Sequence, residues 1–179
     1  MENLRHRVIL DEAALQAGLD ALAERLRPRL EGKDVTVVVV LGGAVIFAAD
    51  LVRRLQPGLV MDFLRIQSYG AARDPQRAPH ADWRPHAENV IGRHVLLVDD
   101  VLDTGRTLRE AVRVLGEEMG AASVITVVLV DKPARRALPI QVDDCVLRLE
   151  ENLFLVGYGL DLGGRYRNLP RVLALEDGA

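Results

Sequence analysis

The chain of 179 residues carries 23 Lys and Arg against 26 Asp and Glu, a formal net charge of −3, and 49% of its residues are hydrophobic. That length suits one domain with a sizeable core, while the charge balance offers no global basic field for nucleic acid or an anionic membrane surface. The opening MENLRHRVILDEAALQ has no apolar signal core and no apolar run reaches the ~18 residues that span a bilayer, so the expectation is a cytoplasmic protein with neither nucleic acid nor membrane as partner. The single cysteine, Cys145, sits in the strand-like CVLRL; it excludes an internal disulfide and a thiolate metal cluster and reads as a buried thiol.

From Asp11 to Leu30, the residues Ala14, Leu15, Leu19, Leu22, Leu26 and Leu30 recur at spacings of three and four, which predicts an amphipathic helix begun by an Asp cap. VTVVVVL (Val35 to Leu41) is apolar throughout, as in a parallel strand covered on both faces. Gly42 and Gly43 then turn the chain into AVIFAADLVRRL, a helix with Val45, Ala49, Val52 and Leu55 on one face. A second strand, LVMDFLRIQSY (Leu59 to Tyr69), leads into about two dozen mostly polar residues, GAARDPQRAPHADWRPHAENVIG, a length that usually marks a functional lid or disorder. His80, His86 and Trp83 lie there without the spacing of a metal signature.

A third strand begins at His94 and its helix carries Leu108, Ala111, Val112, Leu115 and Met119 on one stripe. There follow SVITVVLV (Ser123 to Val130), the turn DKPARR, a strand around Cys145, FLVGYG (Phe154 to Gly159), the Gly-rich DLGGRYRNLP and a last strand RVLALE. The alternation of strands and helices implies an α/β, doubly wound, mostly parallel sheet, whose ligands sit beyond the carboxyl ends of the strands.

The chemistry concentrates in VLLVDDVLDTGRTL, Val95 to Leu108. Asp103-Thr104-Gly105-Arg106-Thr107 supplies a glycine, two hydroxyls and backbone N–H groups at a helix N-terminus, where unpaired donors and the helix dipole bind a phosphate monoester. The same residues are also ordinary helix caps. The adjacent Asp99 and Asp100 end a buried strand, repel each other and need cation or hydroxyl partners, which a ribose diol and a divalent metal would supply. An acidic pair also holds Mg²⁺ in phosphate-receiver domains, but there it belongs to the first strand and not beyond residue 90.

This segment resembles the phosphoribosyl diphosphate (PRPP) signature of the type I phosphoribosyltransferases, and Asp103 at its variable position is similar to the hypoxanthine-guanine branch. LGGAVIFAADL resembles that branch's pyrophosphate loop, DFLRIQSYG its flexible-loop Ser-Tyr, LVDKPARR its base-recognition Lys segment, and FLVGYGLDLGGRYRNLP its purine-stacking and C-terminal Arg segment. The resemblance runs from Val35 to about Leu175. It implies the type I phosphoribosyltransferase fold in a single domain, 1–179, with a lid about 68–92 and a small hood formed by the terminal segments. It implies a purine-salvage pentosyltransferase that joins N9 of a 6-oxopurine to C1′ of PRPP, giving IMP or GMP and pyrophosphate, with Mg²⁺ as cofactor, in a homodimer or homotetramer.

The resemblance also carries residue roles. Asp103 would be catalytic, moving a proton at N7. Asp99, Asp100, Asp103, Thr104, Gly105, Arg106 and Thr107 would bind the ribose phosphate, and Leu41, Gly42, Gly43 and Arg167 the pyrophosphate, by way of a loop whose peptide is sometimes cis. Lys132, Phe154 and Leu155 would bind the purine, Ser68 and Tyr69 would close over the site, and Asp161 with Asp99 and Asp100 would serve the metal.

Three departures stand out. The first acid of the pair, often Glu, is Asp99; Gly42 replaces a basic residue in the pyrophosphate loop; and EEN precedes Phe154 where an Ile-Pro-Asp type turn is usual. Alternatives on the same scaffold are a xanthine-preferring, adenine or orotate transferase, and Lys132 argues against adenine because an ammonium only donates, whereas a 6-amino group does not accept. Outside the enzymes, the signature is shared with PRPP-sensing, RNA-binding regulators of the pyrimidine-operon type, which would carry a basic face and lack FLVGYGLD.

Overall fold

A computed structural model describes residues 5–67 and 79–176. The predicted N-terminal helix is α1 (Glu12–Leu30), and its expected cap is made: Asp11 accepts from the Ala14 N–H at 2.8 Å. It is preceded by a strand the sequence pattern does not announce, β1 (His6–Leu10). Strand β2 (Val35–Val40) is buried at all six positions, as a parallel strand between two helical layers requires. Then come α2 (Val45–Val52), β3 (Val60–Gln67), β4 (His80–Trp83), β5 (His94–Leu102), α3 (Arg106–Arg113), β6 (Ser123–Asp131), β7 (Asp144–Arg148), β8 (Phe154–Val156) and β9 (Val172–Leu175). Helix α3 widens into a π-helical turn over Val114–Glu118.

The main sheet has the order β4-β3-β2-β5-β6-β7, with β2, β3, β5, β6 and β7 parallel and β4 an antiparallel edge. Because side chains alternate across a strand, β2 feeds two cores. Val37 and Val39 pack with Leu15, Leu19, Leu22, Phe47 and Leu51 of α1 and α2. Val38 and Val40 pack with Leu108, Ala111 and Leu115 on the α3 side. Each fully buried Leu or Phe contributes roughly 1.5–3 kcal/mol, so the two helical layers hold the sheet from both faces. A second sheet of order β1-β9-β8, antiparallel throughout, joins the two terminal regions and forms the expected small hood.

The polar stretch after β3 is only partly as expected. Over residues 79–92 the chain is ordered: β4 pairs with β3, and Ala87–Asn89 forms a 3₁₀ turn. The buried Asp62 fastens this segment, accepting from the His86 N–H and the Asn89 side-chain amide, each at 2.8 Å. Asp62 lies below the usual aspartate range because these bonds outweigh the cost of its burial. Among the described residues no helix is long and apolar enough to cross a membrane.

Candidate active site

Three parallel strands deliver their carboxyl ends to one rim: β2 ends in the turn Leu41-Gly42-Gly43, β5 in Asp99 to Leu102, and β6 in Asp131 and Lys132. After β5 the chain bends through Asp103-Thr104-Gly105 into α3. Gly105 has φ +85°, and a Cβ there would stand 2.4 Å from Ile140 Cγ2, so both backbone and space demand glycine. The helix N-cap is Gly105 without a side-chain bond, and the Thr104 hydroxyl lies 3.5 Å from the Arg106 N–H. The turn therefore presents backbone donors at a helix N-terminus, and among the described residues no carboxylate is bonded to them. Arg106 is exposed and Thr107 half-buried at this start.

Asp103 thus does not cap α3, contrary to one of its two expected uses. Its Oδ1 accepts from Arg135 Nε at 2.9 Å, and Asp103 lines a cavity of about 530 Å³ together with Lys132, Arg135, Asn152, Phe154 and Leu155. Lys132 is buried and donates from Nζ to the Leu153 carbonyl at 2.7 Å. Burial pulls its ammonium below the ordinary lysine value, with nearby Asp103 acting in the opposite sense. Phe154 is 41% exposed, whereas Leu155, also on the cavity wall, is buried.

On the opposite side of the β5 turn lie the paired acids. Asp99 Oδ1 accepts from the Asp100 N–H at 2.9 Å, and Asp100 Oδ1 from the Val101 N–H at 2.7 Å. Burial first, and the neighbouring Asp100 second, push Asp99 well above the usual carboxylate range. Asp100 is raised too, burial prevailing over the pull of Arg167. The pair is thus short of positive charge, the condition a divalent cation relieves. Among the described residues no cluster of three or more His, Cys, Asp or Glu could hold a metal by itself.

Asp100 faces the β2 turn, where the Leu41–Gly42 peptide is cis and Gly42 is exposed with open space beside its Cα. The segment after β8 closes this side: a Cβ on Gly159 would meet the Gly43 carbonyl oxygen at 2.0 Å. Arg167 Nη1 donates to the Gly159 carbonyl at 2.5 Å, and its Nη2 pairs with Asp161 Oδ1 at 2.8 Å. Asp161 Oδ2 accepts from the Gly164 N–H at 2.7 Å. The Tyr158 hydroxyl donates to Asp50 of α2, which ties this segment to the helix that follows the β2 turn; burial and that carboxylate raise the phenol above its ordinary value.

The fold therefore brings the sequence-predicted residues into two adjoining regions, one around Asp99, Asp100, Gly43 and Arg167 and one around Asp103, Lys132 and Phe154. Ser68 and Tyr69 lie outside the described residues. Arg135 and Asn152, both on the cavity wall, were missed; the first Arg of DKPARR and the EEN departure were the only signals, and neither specifies a contact.

Residues 8–162 match the phosphoribosyl transferase domain. The chain is 33% identical over 177 residues to the hypoxanthine-guanine phosphoribosyltransferase of Streptococcus pneumoniae, covering 99% of this chain and 97% of that protein. It is 39% identical over 176 residues to the bifunctional protein TilS/HprT of Listeria innocua, covering 98% of this chain but only 27% of that longer protein. Among solved structures, the hypoxanthine phosphoribosyltransferase of Staphylococcus aureus superposes with a TM-score of 0.89 at 30% identity, covering 98% of this chain and 93% of that one.

Proposed function

This chain belongs to the phosphoribosyltransferase family, and from that premise we propose that residues 1–179 act as one unit that transfers the phosphoribosyl group of PRPP to N9 of a 6-oxopurine, hypoxanthine or guanine. The observation that carries the substrate class is the buried Lys132 on the wall of the cavity that also holds Asp103 and Phe154. An ammonium donates to a 6-oxo group and has no lone pair with which to accept from a 6-amino group.

In this reading the N9–C1′ bond forms as the bond from C1′ to the pyrophosphate oxygen breaks, and that electron pair leaves with pyrophosphate. The N–H groups of Asp103 to Thr107 and the Thr104 and Thr107 hydroxyls hold the 5-phosphate. Asp99 and Asp100 accept from the ribose hydroxyls, and their charge favours the cationic character at C1′. Arg167 and the backbone N–H groups of Gly42 and Gly43 stand against the diphosphate, whereas the Leu41 N–H is already given to the Leu64 carbonyl at 2.8 Å and Leu41 serves only as the turn's first residue. Phe154 stacks on the purine and Leu155 offers backbone groups to its edge. Asp103 takes the proton from N7 as N9 becomes bonded, which leaves the product neutral at the base. Asp99 and Asp100, with ligand oxygens, would hold Mg²⁺, and Asp161 would reach it through water; when bound, the ion would neutralise the leaving diphosphate.

The exposed Met61, Phe63 and Trp83 of the β3–β4 edge give a second copy of the chain an apolar surface to cover, in keeping with a homo-oligomer. Incubation with PRPP, Mg²⁺ and each purine base separately, followed by chromatography of the nucleotides, tests the reading: IMP, GMP or both form, and the absence of both with folded, PRPP-binding protein refutes it.

A further inference from the structure

Among the described residues, one side chain holds the Asp103 carboxylate. Arg135 donates from Nε to Asp103 Oδ1 at 2.9 Å and from Nη1 to Asn152 Oδ1 at 3.1 Å. It thereby links three chain segments that are remote in sequence: the turn after β5, the turn after β6, and the segment before β8. Asn152 is followed directly by Leu153, whose carbonyl takes the Lys132 ammonium, and then by the exposed Phe154. All of these groups border one cavity of about 530 Å³. Among the described residues only Oδ1 of Asp103 is hydrogen-bonded, and it is bonded to Arg135 and not to the start of α3.

We infer that Arg135 is a positioning residue: by occupying Oδ1 of Asp103 it fixes the carboxylate on the cavity wall with Oδ2 left for the base, and through Asn152 it keeps that carboxylate in register with Lys132 and Phe154. The inference rests on the reading of Asp103 as the proton-transfer group. A short acid at the head of a helix otherwise has a competing position, bonding the N–H groups of the first turn, and there it would leave the base and cover the phosphate cradle. The planar guanidinium suits the task because two of its donors, fixed in one plane, meet two acceptors on different segments; a lysine has a single mobile head. Its neighbour Arg136 braces the same turn from behind, donating from Nη1 to the carbonyls of Leu102 and Asp103 at 3.1 and 2.8 Å and pairing through Nη2 with Asp131. Arg136 holds the backbone and Arg135 the side chain. Arg135 is about half exposed, 43% of its side chain, so its replacement leaves the core intact.

The test is a cycle of Arg135→Ala, Asp103→Asn and the double variant, with kcat and the KM values of PRPP and hypoxanthine measured for each. Arg135→Ala lowers kcat by about tenfold and leaves the KM of PRPP within about twofold, because the backbone cradle survives. In the Asp103→Asn background the same change alters kcat by less than about twofold, since a residue that acts through Asp103 has nothing left to position. Arg135→Lys lies between the wild type and Arg135→Ala. Equal factors in both backgrounds, or an unchanged kcat in Arg135→Ala, overturn the inference. Failure of the underlying reading shows separately, as Asp103→Asn with the wild-type kcat. A readout independent of turnover is thermal protection by PRPP: it is unchanged in Arg135→Ala if the arginine serves the base side, and its loss would place Arg135 in the cradle instead.

Discussion

Gly43 and Asp100 meet so closely that a Cβ on Gly43 would stand 1.6 Å from Asp100 Oδ2 and 2.7 Å from its Cγ. The turn after β2 and the acid at the end of β5 are thus one packed unit, and the missing side chain is what lets the carboxylate occupy its place. Gly43→Ala forces Asp100 out of it. The expected cost is about 1–3 kcal/mol of stability for the overlap, read as a lowered Tm, with a loss of at least about tenfold in PRPP affinity measured by calorimetry. Unaltered PRPP binding in a folded variant would separate Asp100 from the ribose.

Gly42, one residue earlier, behaves differently because nothing lies within 4 Å of a Cβ built on it and the residue is exposed. Gly42→Lys is therefore accommodated and adds a charge at a solvent-facing mouth, where screening limits its effect to roughly 1 kcal/mol. Titrations of PRPP and pyrophosphate at low and high ionic strength should show a gain below about tenfold that shrinks with salt. A salt-insensitive gain of about a hundredfold would mean a buried contact.

The raised carboxyl of Asp99 has a sign that can be worked out. Its folded-state pKa lies above its unfolded value, so between the two the folded protein binds more protons, and stability falls as pH rises through that window. Asp99→Asn keeps an acceptor oxygen for the Asp100 N–H and removes the charge. The ligand-free variant should melt a few degrees higher than wild type at neutral pH, with the gain vanishing as pH falls toward the ordinary aspartate range, while PRPP binds more weakly. A lowered Tm at neutral pH would show that the acid contributes more to the fold than its repulsion costs.

Lys132→Met removes a buried ammonium that donates to the Leu153 carbonyl on the cavity wall. A hydrogen bond to a charged group is worth about 1.5–3 kcal/mol, so kcat/KM for hypoxanthine should fall by about ten- to a hundredfold. Thermal protection by PRPP, measured alongside, should persist. Unchanged use of hypoxanthine would move base recognition elsewhere.

The parts legible in the sequence are those written in local pattern. The apolar β2 and β5, the stripe of α1, and the acids and glycine around Asp103 all follow from periodicity and turn chemistry. Strand β1 was invisible because it is a short edge strand, with three of its five residues exposed, that exists by pairing with β9 at the far end of the chain. Strand β4 was hidden in a polar stretch for the same reason, since its partner β3 supplies what its own residues lack. Within the site, the nature of Asp103 was readable but its partner was not: nothing local in DKPARR tells which Arg reaches the carboxylate and which the carbonyls behind it, a choice made by the turn geometry after β6.

In the proposed function the buried ammonium beside Asp103 selects a 6-oxopurine as the acceptor of the phosphoribosyl group. Its most direct test is a competition in one vessel, with equal hypoxanthine and adenine, limiting PRPP and Mg²⁺, and the two nucleotide products separated and quantified over time. IMP should exceed AMP by a factor of about 10² or more, as expected where a wrong base leaves a buried donor unpaired. AMP in equal or greater amount, from protein that consumes the PRPP, would contradict it.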